Sequence, residues 1–184
     1  MKSVIKTTVA IFTIIVFATC SSSDKQADLI KAAGRGDTQT VASMLQAGTD
    51  INAKSNTGMT PLMSAATSGR LETVRLLLDK GADPNAADTQ GVTALMLSAS
   101  AGQADVVRAL IDKGAHVNAK NNYGMAALHN AAYSGSKDVV LVLLEKGADI
   151  YAGNIEGRKP VDIAKKRGNV EVARILKEAE GKKM

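Results

Sequence analysis

One row of carboxylates recurs along the chain at a constant interval, and paired carboxylates are the groups that general acid–base catalysis commonly uses. The row consists of Glu72, Asp105, Asp138 and Glu171. Each member falls where a helix is predicted to begin, and a negative charge there interacts favourably with the helix dipole. The spacing therefore indicates electrostatics at helix starts rather than a catalytic pair.

Histidine and cysteine are the other residue types that could do chemistry. The chain has two histidines, His116 in a predicted loop and His129 in a predicted helix, and its one cysteine is Cys20. No His/Cys spacing of a zinc site is present, and the glycines do not form the G-x-x-x-x-G-K-[ST] phosphate loop. We therefore expect no catalytic residues, no metal, no cofactor and no enzymatic activity.

Three rows of glycine define the elements that position these residues. The leading row, Gly58, Gly91, Gly124 and Gly157, repeats with the same interval as the carboxylates. The others follow at the twelfth and twenty-fourth positions, and one period earlier Gly36 and Gly48 fit the same frame. Their members are Gly69, Gly102, Gly135 and Gly168, then Gly81, Gly114 and Gly147. A period of about 33 residues is typical of a repeat array.

Residues 58–90 illustrate one repeat. Thr60-Pro61 is a helix start, since Thr is a good N-cap and Pro is tolerated at the first helical position. Gly69 ends this helix, and a second helix with the apolar stripe Val74, Leu77 and Leu78 follows. A turn or hairpin loop leads to the next repeat. Helices of about two turns are marginal alone, so the repeats must stack into an all-α solenoid.

These strings resemble the ankyrin repeat, whose pattern is G-x-T-P-L-H-x-A-A, then V-x-x-L-L and G-A-D-V-N-A. The nearest matches are Gly58 to Ala66 and Gly81 to Ala86. The resemblance implies an ankyrin-repeat solenoid of helix–turn–helix pairs with hairpin-like loops. This chain departs from the pattern because the family histidine is kept in only one repeat, as His129. The resemblance implies a structural role for that residue. The predicted repeats are a cap at 25–57, full repeats at 58–90, 91–123 and 124–156, and a cap at 157–180.

The segment 1–19 is predicted to be a signal peptide, since Lys2 and Lys6 precede an apolar run from Val9 to Ala18. Phe17-Ala18-Thr19-Cys20 resembles a bacterial lipobox, with residues 20–24 as a short tether. That resemblance implies lipidation of Cys20 and a periplasmic or membrane-anchored lipoprotein, with the outer membrane favoured. Phe17 and Thr19 depart from the lipobox pattern, so ordinary cleavage after Ala18 remains an alternative.

The formal charge is +5, and it would be +3 without Lys2 and Lys6, which is too little to indicate nucleic-acid binding. Recognition of another protein by a monomer remains as the expected function. An envelope accessory or protective factor that supports a partner enzyme or a stress-defence protein is the alternative.

In ankyrin repeats, partners bind the concave face, formed by the loop tips and the exposed sides of the first helices. Carried onto this chain, the resemblance implies a row of loop-tip and first-helix positions. Met59, Val92 and Met125 form an apolar row that the fold does not obviously require, and exposed aromatic residues are frequent hot spots. The alternative is that the tyrosines only cover neighbouring loops. The predicted partner-binding residues are Thr57, Met59, Gln90, Val92, Tyr123, Met125, Tyr133 and Arg158.

The basic cluster Lys165-Lys166-Arg167 has two interpretations. A terminal repeat needs a polar outer face because nothing stacks on it, which favours a solvated cap. Contact with phospholipid headgroups is the other interpretation. Lys177, at a position that holds an apolar residue in the other repeats, also favours a cap.

Overall fold

The computed structural model describes residues 22–182, which form ten helices and no strands. The shortest helices have seven residues, and the two terminal helices are the longest. None of these helices is both long and apolar enough to cross a membrane. The helices are α1 (Ser22–Arg35), α2 (Thr38–Gln46), α3 (Pro61–Thr67), α4 (Leu71–Asp79), α5 (Ala94–Ser100), α6 (Ala104–Asp112), α7 (Ala127–Ser134), α8 (Lys137–Glu145), α9 (Pro160–Arg167) and α10 (Val170–Lys182).

The helices stack in two layers, and each repeat supplies one helix to each layer. In the first layer α1 packs on α3, α3 on α5, α5 on α7 and α7 on α9. In the second layer α2 packs on α4, α4 on α6, α6 on α8 and α8 on α10. Each helix therefore contacts its repeat partner and the equivalent helices of the adjoining repeats. This arrangement confirms the predicted all-α solenoid.

The core lies between the two layers and follows the predicted apolar stripes. In the first layer, alanine pairs such as Ala65 and Ala66 are fully buried. Their small side chains let successive helices approach closely, which accounts for the low aromatic content. In the second layer, Leu77, Leu110 and Leu143 are equally buried at the same position of successive repeats.

Two kinds of hydrogen bond begin the first helices. The hydroxyls of Thr60 and Thr93 accept from the amides of Met63 and Met96, at 3.2 and 3.4 Å, as the Thr-Pro pattern predicts. Position 126 is Ala and has no such acceptor. There the reciprocal bond is made instead, because the Ala126 amide donates to Nδ1 of His129 at 3.1 Å.

The terminal helices exceed the two turns predicted for each helix. α1 has 14 residues and α10 has 13. α1 includes residues 22–24, which were predicted to belong to the tether. No glycine or proline interrupts the chain from 22 to 33 or from 170 to 180, so nothing local stops either helix.

Loop tips join the repeats at the edge of the first layer. Each tip is a tight hairpin, in which for example the Asp88 amide donates to the Val92 carbonyl at 3.0 Å. Successive tips are also bonded to one another. The amides of residues 89, 122 and 155 donate to the carbonyls of Thr57, Gln90 and Tyr123, at 3.1, 3.0 and 3.1 Å. This ladder holds the tips in fixed register.

Candidate partner-binding face

The carboxylate row lies as predicted in the first turns of the second-layer helices, from α4 to α10. Its members are exposed and belong to separate helices. A hydrogen bond from Arg174 holds the pKa of Glu171 below its usual range, and Lys137 of the preceding repeat lies 3.6 Å away. These contacts join charges on the surface and bring no two carboxylates of the row together.

The two histidines occupy different environments. His116 is exposed, and its backbone amide donates to the Asn85 side chain at 2.8 Å. His129 is completely buried at the start of α7. Its Nδ1 accepts a hydrogen bond, so the neutral ring carries its proton on Nε2, near the backbone of Ala152 and Arg158. The resemblance implied a structural role for His129, and this geometry is consistent with it.

Acidification below pH 6.5 should destabilise the fold through His129. Burial lowers the pKa of His129 in the folded chain below its usual value of 6.5. At pH values between the two, the unfolded chain binds a proton that the folded chain does not. The free energy of unfolding should therefore decrease as the pH is lowered, by up to about 1.4 kcal/mol per pH unit.

Urea unfolding between pH 5 and pH 8 measures this effect. His116→Gln should retain the pH dependence, because His116 is exposed, whereas His129→Gln should flatten it. An unchanged slope in His129→Gln would show that another group is responsible.

Within residues 22–182, no group of three or more His, Cys, Asp or Glu side chains could hold a metal ion. Cys20, the predicted lipidation site, lies outside the described residues. The remaining predicted site residues all belong to the loop tips and first-layer helices, where the structure can place each of them.

The three full repeats contribute few charged residues to this face. The equivalent segments 55–70, 88–103 and 121–136 contain only two charged residues, Arg70 and Asp88. Exposed within them are Thr57 and Gln90, and the two tyrosines Tyr123 and Tyr133 have about half of their surface accessible, 51% and 49%. A neutral surface that exposes aromatic rings is well suited to contacts with another protein.

Partial burial distinguishes the apolar row Met59, Val92 and Met125 from the tyrosines. All three are half-buried. The expectation that the fold does not require this row is wrong for Met59 and Met125, because both pack against the hydrophobic core. Their equivalent position at the start of each repeat points partly inward, which sequence spacing alone did not show.

A pocket of about 260 Å³ lies at the last repeat, between α7 and α9. The guanidinium of Arg167 lies 4.2 Å from the centre of the Tyr133 ring, within the range of cation–π contacts. Arg158, a predicted site residue, is half-buried and pairs with Glu156. The residues around the pocket are Met125, Tyr133, Asn154, Arg158, Ile163, Lys166 and Arg167.

The contact between Tyr133 and the basic cluster was not predicted, because the two lie in separate features of the sequence. A signal was available, because Lys166 is the equivalent of Tyr133 in the next repeat and Arg167 directly follows it. Side chains one repeat apart lie on neighbouring first-layer helices, so a long cation at the next position can reach the ring.

The profile described as Ankyrin repeats (3 copies) matches residues 9–88, 82–154 and 123–184. This chain belongs to the ankyrin-repeat family. No curated protein matches it. Ankyrin repeats generally mediate protein–protein interaction and typically act as non-catalytic scaffolds. The family assignment and the two-layer stack of helix pairs together confirm the ankyrin-repeat solenoid predicted from the glycine rows.

Proposed function

We propose that this ankyrin-repeat protein binds another protein through its concave face, and that it acts by recognition alone. The observation that carries the proposal is the exposure of Tyr123 and Tyr133 on a surface that has only two charged residues, Arg70 and Asp88, across three repeats. Tyr is enriched among the residues that contribute most to binding at protein interfaces. The neighbouring loop tip adds Ile155, which is 69% exposed.

A preformed surface favours this function energetically. The loop tips are bonded to one another from repeat to repeat, and the first helices are anchored by buried alanines. Ordering of loops and side chains is a large part of the free energy lost on association. A face that is already ordered loses less conformational entropy on binding, so a modest number of contacts gives useful affinity.

Capture of partners from envelope extracts tests the binding face. We expect the double variant Tyr123→Ala/Tyr133→Ala to lose most of the partner that the wild type recovers, because removal of one hot-spot residue typically costs about 2 kcal/mol of binding free energy. The matched control is Leu141→Ala/Tyr151→Ala, which removes two side chains of similar exposure, 44% and 46%, elsewhere on the molecule. Equal recovery by both double variants would contradict the proposal.

The identity of the captured protein also separates the two functions considered. An enzyme or stress-defence protein whose activity or lifetime rises when the ankyrin-repeat protein is present would favour the accessory role. A partner without such dependence favours simple recognition.

Export and lipid anchoring are a second part of the proposal, supported by the basic start, the apolar run and the position of Cys20. Acyl chains on Cys20 would hold the repeats at a membrane, since each buried CH₂ contributes about 0.8 kcal/mol. Labelled palmitate should enter the wild type and not the Cys20→Ala variant. No label in the wild type would contradict lipidation and favour cleavage after Ala18.

A further inference from the structure

Net positive charge on the concave face is greatest in the last repeat. Residues 154–169 contain five cations, Arg158, Lys159, Lys165, Lys166 and Arg167, and two acids, Glu156 and Asp162, a net charge of +3. The equivalent segments, 55–70, 88–103 and 121–136, contain only two charged residues, Arg70 and Asp88, and together have no net charge. A partner that lies along the three full repeats therefore meets a surface with no net charge, and it meets a strongly positive one at the C-terminal end.

The cations around the pocket differ in how far they are already paired. Arg158 forms an ion pair with Glu156. Lys166 has no ion pair within the described part of the chain. Arg167 lies over the Tyr133 ring, which fixes its guanidinium plane and leaves its edge donors available to an acceptor. Two cations at the pocket are thus without an acidic partner among residues 22–182.

The floor of the pocket is apolar. Ile163 is buried and Met125 packs on the core, and both border the pocket beside the Tyr133 ring. An occupant that fits both the rim and the floor carries an anionic group next to an apolar one. This combination is found in a polypeptide segment where Asp or Glu alternates with an apolar residue.

We infer that this pocket is a subsite for an acidic segment of the partner protein, in which a carboxylate contacts Lys166 and Arg167 and an adjacent apolar side chain lies against Tyr133 and Met125. The inference rests on the proposed function, since it identifies the chemistry that the same face recognises. Arg is suited to this role because its planar donor fork matches a carboxylate.

The length of the positive surface indicates several acidic side chains rather than one chain end. Arg158 precedes α9 and Lys166 lies near its end, about 9 Å from Pro160, the first residue of the helix, at 1.5 Å per residue. Alternate side chains of an extended chain are about 7 Å apart on one face. A segment with two or more carboxylates can therefore follow this surface, whereas one terminal carboxylate contacts only one end of it.

Fluorescence anisotropy with defined peptides tests the inference. The full chain carrying Cys20→Ala is titrated into a labelled, C-terminally amidated peptide in which Leu and Glu alternate. The comparison peptide replaces Glu by Gln, and a third adds a free C-terminal carboxylate to the Gln peptide. We expect the Glu peptide to bind about 10-fold more tightly than the Gln peptide at low salt, and the preference to shrink as salt is raised.

Matched variants locate the site. Lys166→Gln/Arg167→Gln should remove most of the preference for Glu. Lys165→Gln/Lys177→Gln makes the same change in net charge with exposed lysines that lie outside the pocket, and should retain the preference. Lys166→Gln alone leaves the contact between Arg167 and Tyr133 in place. This variant should lose part of the preference for the Glu peptide. Thermal melts of each variant confirm that the repeats remain folded.

Three results would overturn the inference. The first is equal binding of the Glu and Gln peptides, and the second is an equal loss in both double variants. The third is tight binding of phosphatidylglycerol vesicles, with loss in Lys166→Gln/Arg167→Gln and no preference among peptides, which would assign the pocket to membrane headgroups. Each of these leaves the proposed function standing if the tyrosine variants still lose the captured partner.

Discussion

We expect Leu143→Ala to lower the free energy of unfolding by about 2–5 kcal/mol, the range typical of a buried leucine truncated in a core. Leu143 lies in α8 and is completely buried between the layers. Its truncation leaves a cavity at the contact between α8 and its neighbours. In a solenoid each repeat depends on its neighbours for stability, so the damage extends beyond the mutated repeat.

Leu141→Ala is the matched control for this prediction. It makes the same substitution two residues earlier in the same helix, where the side chain is 44% exposed. We expect it to cost less than about 1 kcal/mol, because little apolar surface returns to water. Urea unfolding followed by circular dichroism compares the two variants. Similar midpoints would contradict the assignment of the inward face of α8.

Gly58→Ala should be more destabilising than Gly157→Ala, although the two glycines are equivalent in the repeat. Both have positive φ, +83° and +72°, which costs an alanine about 1–2 kcal/mol. A Cβ at Gly58 would also lie 2.8 Å from Cα of Asp88, in the backbone of the next loop tip. A Cβ at Gly157 would meet nothing within 4 Å, because none of residues 22–182 forms a loop tip that stacks on this one.

Both variants force an alanine into positive φ, so the difference between their free energies of unfolding measures the contribution of stacking between loop tips. We expect Gly58→Ala to lower the free energy of unfolding by about 1–3 kcal/mol more than Gly157→Ala does, which is the usual cost of forced overpacking. Thermal unfolding of both variants beside the wild type measures it. Equal losses would show that the loop tips separate without cost and that the ladder contributes little to the stability of the array.

The repeat architecture could be predicted because particular residue types recur along the sequence at a fixed spacing. Glycines at three rows mark the ends of helices and loops, and Leu77, Leu110 and Leu143 recur at one buried position. Bonds between backbone groups carry no such signature. The ladder that joins Thr57, Gln90 and Tyr123 to the next loop tips depends on stacking distance, which only the structure provides.

The face was predicted in part. The exposure of Tyr123 and Tyr133 agrees with their assigned positions, whereas Met59 and Met125 serve the core as well. The contact of Arg167 with Tyr133 escaped prediction because it depends on how far a long side chain reaches across two repeats. The role of these residues in binding a partner stays a prediction.

Site-directed photo-crosslinking in living cells tests recognition through the concave face most directly. A photoreactive amino acid replaces Tyr133 in one strain and Leu141 in another, since both positions are about half exposed but lie on different layers of the solenoid. We predict a specific covalent adduct with one partner protein from position 133 and none from position 141. An adduct from position 141 alone would contradict the concave face as the binding surface.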